Sequence, residues 1–233
     1  AIQETECTQL PPVNWKEEQS QSFAYIYPID YEALLNNLVD QYGNKLEDEY
    51  MSFSRLYRTT LSLPIIIRIY PSVMHYVCLN ILAPQVAPME THSHVGMREI
   101  ALFGDRILAD LSRWEGEFVN ILRFELGVLF VEQITDAKAP PGLIAGVGIY
   151  MMDPGDIFIE NAVSVSGISA PDVTWRALWE NENTITNLGA RLQAASTIAY
   201  LVEAYGWESL LQYLIHLRTS EGYRQSLSRS QKK

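Results

Sequence analysis

One carboxylate stands where two imidazoles would make it catalytic. Residues 117–134 read EFVNILRFELGVLFVEQI, centred on Phe124-Glu125-Leu126-Gly127-Val128. Histidine at 124 and 128 would give the spacing His-Glu-x-x-His. Two imidazoles one helical turn apart can grip one zinc ion, with the Glu between them as general base. Here the base position is kept as Glu125 and both grips are hydrocarbon. On a helix, Phe118, Ile121, Leu122, Glu125, Val128, Leu129 and Glu132 fall along one stripe. Glu125 is therefore expected to point inward. An ionised inward carboxylate without partners is costly, so it should take a raised pKa or find donors. The plain alternative is an ordinary buried helix whose Glu bonds a backbone group or a Tyr hydroxyl.

A second constellation is Glu90-Thr91-His92-Ser93-His94. On a strand, Glu90, His92 and His94 share a face, and two His with one carboxylate suit iron, zinc or copper. Alternate residues lie about 7 Å apart, so closure onto one ion needs a bend. The plainer reading is a polar surface turn. His75, on a strand expected over 76–82 or just before it, is a further candidate ligand. Nucleophilic chemistry has less support. There is no G-x-S-x-G elbow, no cysteine in an electropositive setting, and no Gly-rich loop after a strand. Gly142, Gly146 and Gly148 read as close helix packing, and Met151-Met152 and Trp175/Trp179 as core.

The stretch 120–150, NILRFELGVLFVEQITDAKAPPGLIAGVGIY, resembles the peptidase-MA-like gluzincin metallopeptidases. That resemblance implies an HExxH helix, a short loop with prolines, and a second helix of the type G-L-x-E-G-x-A-x-Y whose Glu is the third zinc ligand. Residues 142–150 here read GLIAGVGIY, which puts Ala145 at the ligand position. The strand at 64–72 (PIIIRIYPS) and the helices at 188–201 and 202–211 resemble the family's upstream strand and closing helix pair. The likeness spans roughly 22–227, with 120–150 its specific part. Carried over, Phe124, Val128 and Ala145 occupy the zinc-ligand positions and Glu125 the general-base position. Arg191 falls near the Tyr that often opens the downstream helix. The resemblance thus implies the gluzincin, thermolysin-like architecture with a filled-in site. No cofactor is expected, although the active family uses zinc. An engineered, ligand-deleted variant of an active enzyme is an alternative, and so is a hydrolase using His92, His94 and Glu90.

The remaining chain fixes the setting of this helix. The fold expected is α+β: a mostly antiparallel N-terminal sheet with a long helix, then a helical C-terminal half. Strands are expected at 22–27, 64–70, 76–82 and 95–103, the last at the sheet edge. A long helix is expected at 31–57, capped by Asp30, with Leu34, Leu35, Leu38, Tyr42, Leu46 and Tyr50 at helical spacing. Further helices are expected at 117–134, 142–152, 172–180, 189–205 and 207–218, with Gly206 breaking the last pair. Residues 1–21 read as an extended arm, 22–227 as one domain, and 228–233 as a basic tail. The last sixteen residues carry Arg218, Arg224, Arg229, Lys232 and Lys233.

The chain has 233 residues and a net charge of −11, which disfavours a nucleic-acid partner. No apolar run is long enough to span a membrane. An opening Ala1 in place of Met suggests a processed N-terminus or a trimmed chain. Cys7 and Cys78 either pair, fitting an oxidising, extracytoplasmic or secreted location, or remain free thiols with Cys78 in a strand. The expected role is binding or structural, within a larger complex or toward an extended peptide. Such a peptide would be held by strand addition along 95–103 beside the helix at 117–134.

Overall fold

The computed structural model describes residues 7–79, 91–94, 98–152, 179 and 188–219. They form two units. Unit 1 comprises Ala1–Ser52 and Ser62–Leu122, and unit 2 comprises Phe53–Leu61 and Arg123–Lys233. The protein is mixed α+β, and the described residues form one sheet and a long helix.

Among the described residues, unit 1 holds five strands: β1 (Trp15–Gln19), β2 (Phe23–Pro28), β3 (Ile65–Tyr70), β4 (Thr91–His94) and β5 (Glu99–Phe103). Their order is β1-β2-β3-β5-β4. The sheet is mixed rather than mostly antiparallel. β2, β3 and β5 run parallel, and only the outer strands β1 and β4 pair antiparallel. The cause is the connection between β2 and β3, which contains the helix α1 (Glu32–Tyr57). A helical crossover returns the chain to the end where it started, which makes the next strand parallel. β5, expected at the edge, lies between β3 and β4, so it is buried at every position.

Local chemistry explains the other departures. Residues 15–19, expected within a loose arm, form β1. Residues 76–82 were expected as a strand because they are β-branched and aromatic. Instead the chain forms the helix α2 (Val73–Leu79). Ser72 starts it, its Oγ accepting from the His75 N–H at 3.4 Å. Val73, Tyr76 and Val77, at helical spacing, then pack on Tyr70, Ala101 and Phe103. Cys78 is consequently on a helix, and its disulfide to Cys7 ties the N-terminal segment to it, with the Cα atoms 5.4 Å apart. Asp30, expected as a helix cap, lies inside a 3-10 turn (Ile29–Tyr31) leading into α1. Phe23, Tyr25, Tyr27, Ile65, Ile67, Ile69, Ile100 and Leu102 form the buried sheet face, and Tyr50 of α1 packs edge-on against Phe23. After the short helix α3 (Gly104–Ala109) comes α4 (Leu111–Thr135). It begins six residues before the expected start at 117, where Asp110 Oδ1 accepts from the Arg113 N–H. Its last thirteen residues belong to unit 2.

Unit 2 adds α5 (Pro141–Met152), α6 (Leu188–Tyr205) and α7 (Trp207–Thr219). Pro141 takes the first helical position, where its missing N–H costs nothing. Gly206 separates α6 from α7 at φ +79°, a conformation that favours glycine. The end of α1 is held by an aromatic cluster. Tyr57 stacks on Phe130 at 5.0 Å and meets Trp207 edge-on at 5.2 Å, and Trp207 Nε1 donates to the Leu56 carbonyl. Trp179 is buried. Trp175 with the rest of the helix expected at 172–180, Glu90, and the tail at 228–233 lie outside the described residues.

Candidate functional site

The stripe on α4 is buried as its spacing requires: Phe118, Ile121, Leu122, Glu125, Val128 and Leu129 are all inside, with Glu125 only 1 % exposed. A helix with this pattern must cross its neighbours closely, and the small residues of α5 allow that. A β-carbon on Gly148 would come within 2.7 Å of Phe124 Cε2 and 3.2 Å of Val128 Cγ2. Side chains 124 and 128 therefore meet over the backbone of Gly148, where only glycine leaves room. Phe124 also packs against Ile149 of α5 and Ala195 of α6. Ala145 clusters with Ala190 and Ala194 of α6. Gly146 lies so close to α6 that a β-carbon would stand 2.8 Å from the Ala194 carbonyl oxygen. Three helices thus interlock around the positions that the motif would give to metal ligands.

Those positions do not fit zinc. Phe124, Val128 and Ala145 offer no lone pair, and a zinc ion is held by thiolate, imidazole or carboxylate donors. The space that two imidazoles would need beside α5 is filled by packed hydrocarbon. Phe124, Val128 and Ala145 cannot hold a metal, so the polar chemistry among the described residues here is that of the charges nearby.

Those charges are Glu125, Glu132 and Arg191. Glu132 lies seven residues after Glu125 on the same face of α4. Its Oε2 is buried and accepts no hydrogen bond from the described residues. Burial first, and the charge of Glu125 second, push the Glu132 carboxyl up to about 7. Arg191, near the start of α6, is lowered from its usual value by burial, while Glu125 pulls it back up. Glu125 and Arg191 therefore interact across α4 and α6. Arg123 faces elsewhere, its Nε donating to the Met151 carbonyl at 2.9 Å near the end of α5.

The second candidate set is only partly in view. His92 and His94 lie on β4, a strand at one end of the sheet rather than a turn. The register sets His92 opposite Ala101 and His94 opposite Glu99. Glu99 is itself occupied: Oε2 accepts from Arg68 Nε at 2.9 Å and Oε1 from the Tyr70 hydroxyl at 2.6 Å. His75 is on helix α2 rather than a strand. Its Nδ1 lies 2.9 Å from Ser72 Oγ, and burial lowers its pKa against the pull of Asp105. Among the described residues no three His, Cys, Asp or Glu side chains come together as a cation site.

Sequence reasoning placed Glu132 on the inward stripe without giving it a role, and it had no means of finding Arg191 as the cation beside Glu125. The Arg68–Glu99–Tyr70 cluster was not anticipated either. Its only sequence signal is a pair of charged residues inside two apolar strands. Comparison with protein-family models, curated proteins and solved structures finds no match for this chain.

Proposed function

We propose that this chain is a peptidase-like protein without peptidase activity, of gluzincin type, that serves as a binding or structural subunit. The observation that carries the reading is the packing at Gly148, where Phe124 and Val128 occupy the space two zinc-binding imidazoles would take. Glu125 keeps the position of a general base, yet it is fully buried and its charge acts on Arg191. A water without a metal keeps its bulk pKa and is no nucleophile at neutral pH. The partner proposed is a protein or extended peptide. β4 stands at one end of the sheet order, where a further strand can add by main-chain hydrogen bonds. The Cys7–Cys78 disulfide supports an oxidising, extracytoplasmic setting. Among the described residues no helix is long and apolar enough to cross a membrane.

The test is hydrolysis of an unfolded protein substrate such as reduced casein, with zinc supplied in excess. No turnover above buffer is expected. Zinc-dependent turnover that disappears in Glu125→Gln would overturn the proposal.

A further inference from the structure

The two faces of the sheet in unit 1 are covered unequally. Along β3, Ile65, Ile67 and Ile69 are buried on one face, while Ile66 and Arg68 on the other are only half-buried. Across the sheet Arg68 stands between Ile26 of β2, also half-buried, and the small Ala101 of β5. Toward the ends of β3 and β5 this second face is walled by α2, whose Val73, Tyr76 and Val77 pack on Tyr70, Ala101 and Phe103.

Arg68 is held firmly but used only in part. Its Nε donates to Glu99 Oε2 at 2.9 Å, and the Tyr70 hydroxyl fixes the other oxygen of Glu99 at 2.6 Å. The guanidinium lies 5.5 Å from the ring of Trp15 and 5.7 Å from that of Tyr70, and the two rings stand at 78° to each other. It therefore sits in the corner between two nearly perpendicular rings. Nη1 and Nη2 carry its remaining donors, and no acceptor among the described residues meets them. Neither nitrogen is sealed from solvent. The Arg68 side chain keeps 23% of its surface exposed, against 1% for Glu99. Stability alone does not call for this pair, since hydrocarbon of similar volume in place of a buried ion pair is often neutral or better. What the pair supplies is a planar donor fork already fixed in place, so little freedom is left to lose when an acceptor arrives.

We propose that Arg68 is the anchor of a carboxylate-binding site on this face of the sheet. Nη1 and Nη2 can give two parallel N–H···O bonds to the two oxygens of a planar carboxylate, a match that an ammonium group cannot make. Glu99 positions the fork, and the half-buried Trp15 forms a wall of the site. The incoming carboxylate meets the guanidinium at hydrogen-bond distance and Glu99 only across it, so attraction exceeds repulsion. A small organic acid and the C-terminus of a peptide offer the same group to the fork. The inference concerns unit 1 and does not rest on the reading of α4 given above.

The experiment is an NMR titration of the isotope-labelled full chain, following the side-chain N–H signals of Arg68 and the backbone amides of β3. The probes are acetate, acetyl-dialanine with a free C-terminus, and the same dipeptide as its C-terminal amide. Saturable shifts are expected with at least one carboxylate, and binding at least about tenfold weaker with the amide, because charge-assisted hydrogen bonds are roughly twice as strong as neutral ones. Arg68→Lys keeps a cation for Glu99 without the fork, and should weaken carboxylate binding by about tenfold or more. Tighter binding of acetyl-dialanine than of acetate assigns the site to a peptide C-terminus, and equal or weaker binding assigns it to a small acid. The site is contradicted by the absence of saturable shifts with both carboxylates, by equal affinity for the amide, or by undiminished binding to folded Arg68→Lys. Should that variant not fold, the titration of the parent decides alone, since the Arg68 signals are assigned through bonds from its own backbone.

Discussion

Two buried carboxylates, one in each unit, show two solutions to the same problem. Glu99 lies inside the sheet and is as hidden as Glu125 in the helices, each 1 % exposed. Glu99 is fully provided for. Arg68 and Tyr70 each donate to one of its oxygens, and the Arg68 guanidinium lies over the rings of Trp15 and Tyr70 at 5.5 and 5.7 Å. Charge and donors come from one neighbouring strand, whose register holds them in place. Glu125 meets the charge of Arg191, and Glu132, seven residues further along the helix, keeps a buried oxygen with no donor among the described residues. A buried carboxyl oxygen short of donors favours the protonated form, and burial together with the charge of Glu125 pushes Glu132 up to about 7. Of the two regions compared, the helical one therefore holds a carboxyl, Glu132, raised toward neutral pH.

The comparison can be broken most severely in the sheet. Arg68→Ala leaves Glu99 buried without its cation, which should cost about 3–5 kcal/mol in chemical denaturation. A loss under about 1 kcal/mol would mean that Tyr70 alone anchors Glu99. The helical side is probed by Gly148→Ala. The added methyl meets Phe124 at 2.7 Å, so a loss of about 1–3 kcal/mol is expected. Phe124→Leu in the same chain should recover part of it, giving a coupling energy between two residues in contact. Simple additivity of the pair would show that Phe124 does not fill the space above α5. The smallest effect expected is Tyr70→Phe, about 1 kcal/mol, since Glu99 keeps its charge partner and loses one hydrogen bond.

Much of this was legible in the residues, for reasons that can be named. The inward turn of Glu125 followed from the helical period alone, because seven positions of one stripe left it no outward direction. The run at 65–70 and the helices at 142–152, 189–205 and 207–218 lie within one residue of where β3, α5, α6 and α7 form. Periodicity, Pro141 and Gly206 specify them locally. What escaped was set by distant partners. Residues 73–79 have the composition of a strand, and only the Ser72 start and the surface offered by Tyr70 and Phe103 make them helical. Trp15–Gln19 is polar enough to pass for a loose arm and becomes β1 because β2 offers it a free side. Parallel pairing of β2, β3 and β5 depends on crossovers that no single strand encodes. At the candidate site, the three filled positions could be read from the motif spacing, whereas Arg191 is 66 positions along the chain from Glu125 and meets it only through the packing of α6.

The central claim is that the motif-bearing helix is closed by hydrocarbon and holds no metal. Elemental mass spectrometry tests it most directly, on the chain purified without chelator or His-tag and dialysed against micromolar zinc. The account predicts less than about a tenth of an equivalent of any transition metal, where a true zinc site approaches full occupancy. Close to one equivalent that survives dialysis would contradict it, and would send the search for ligands to His92 and His94.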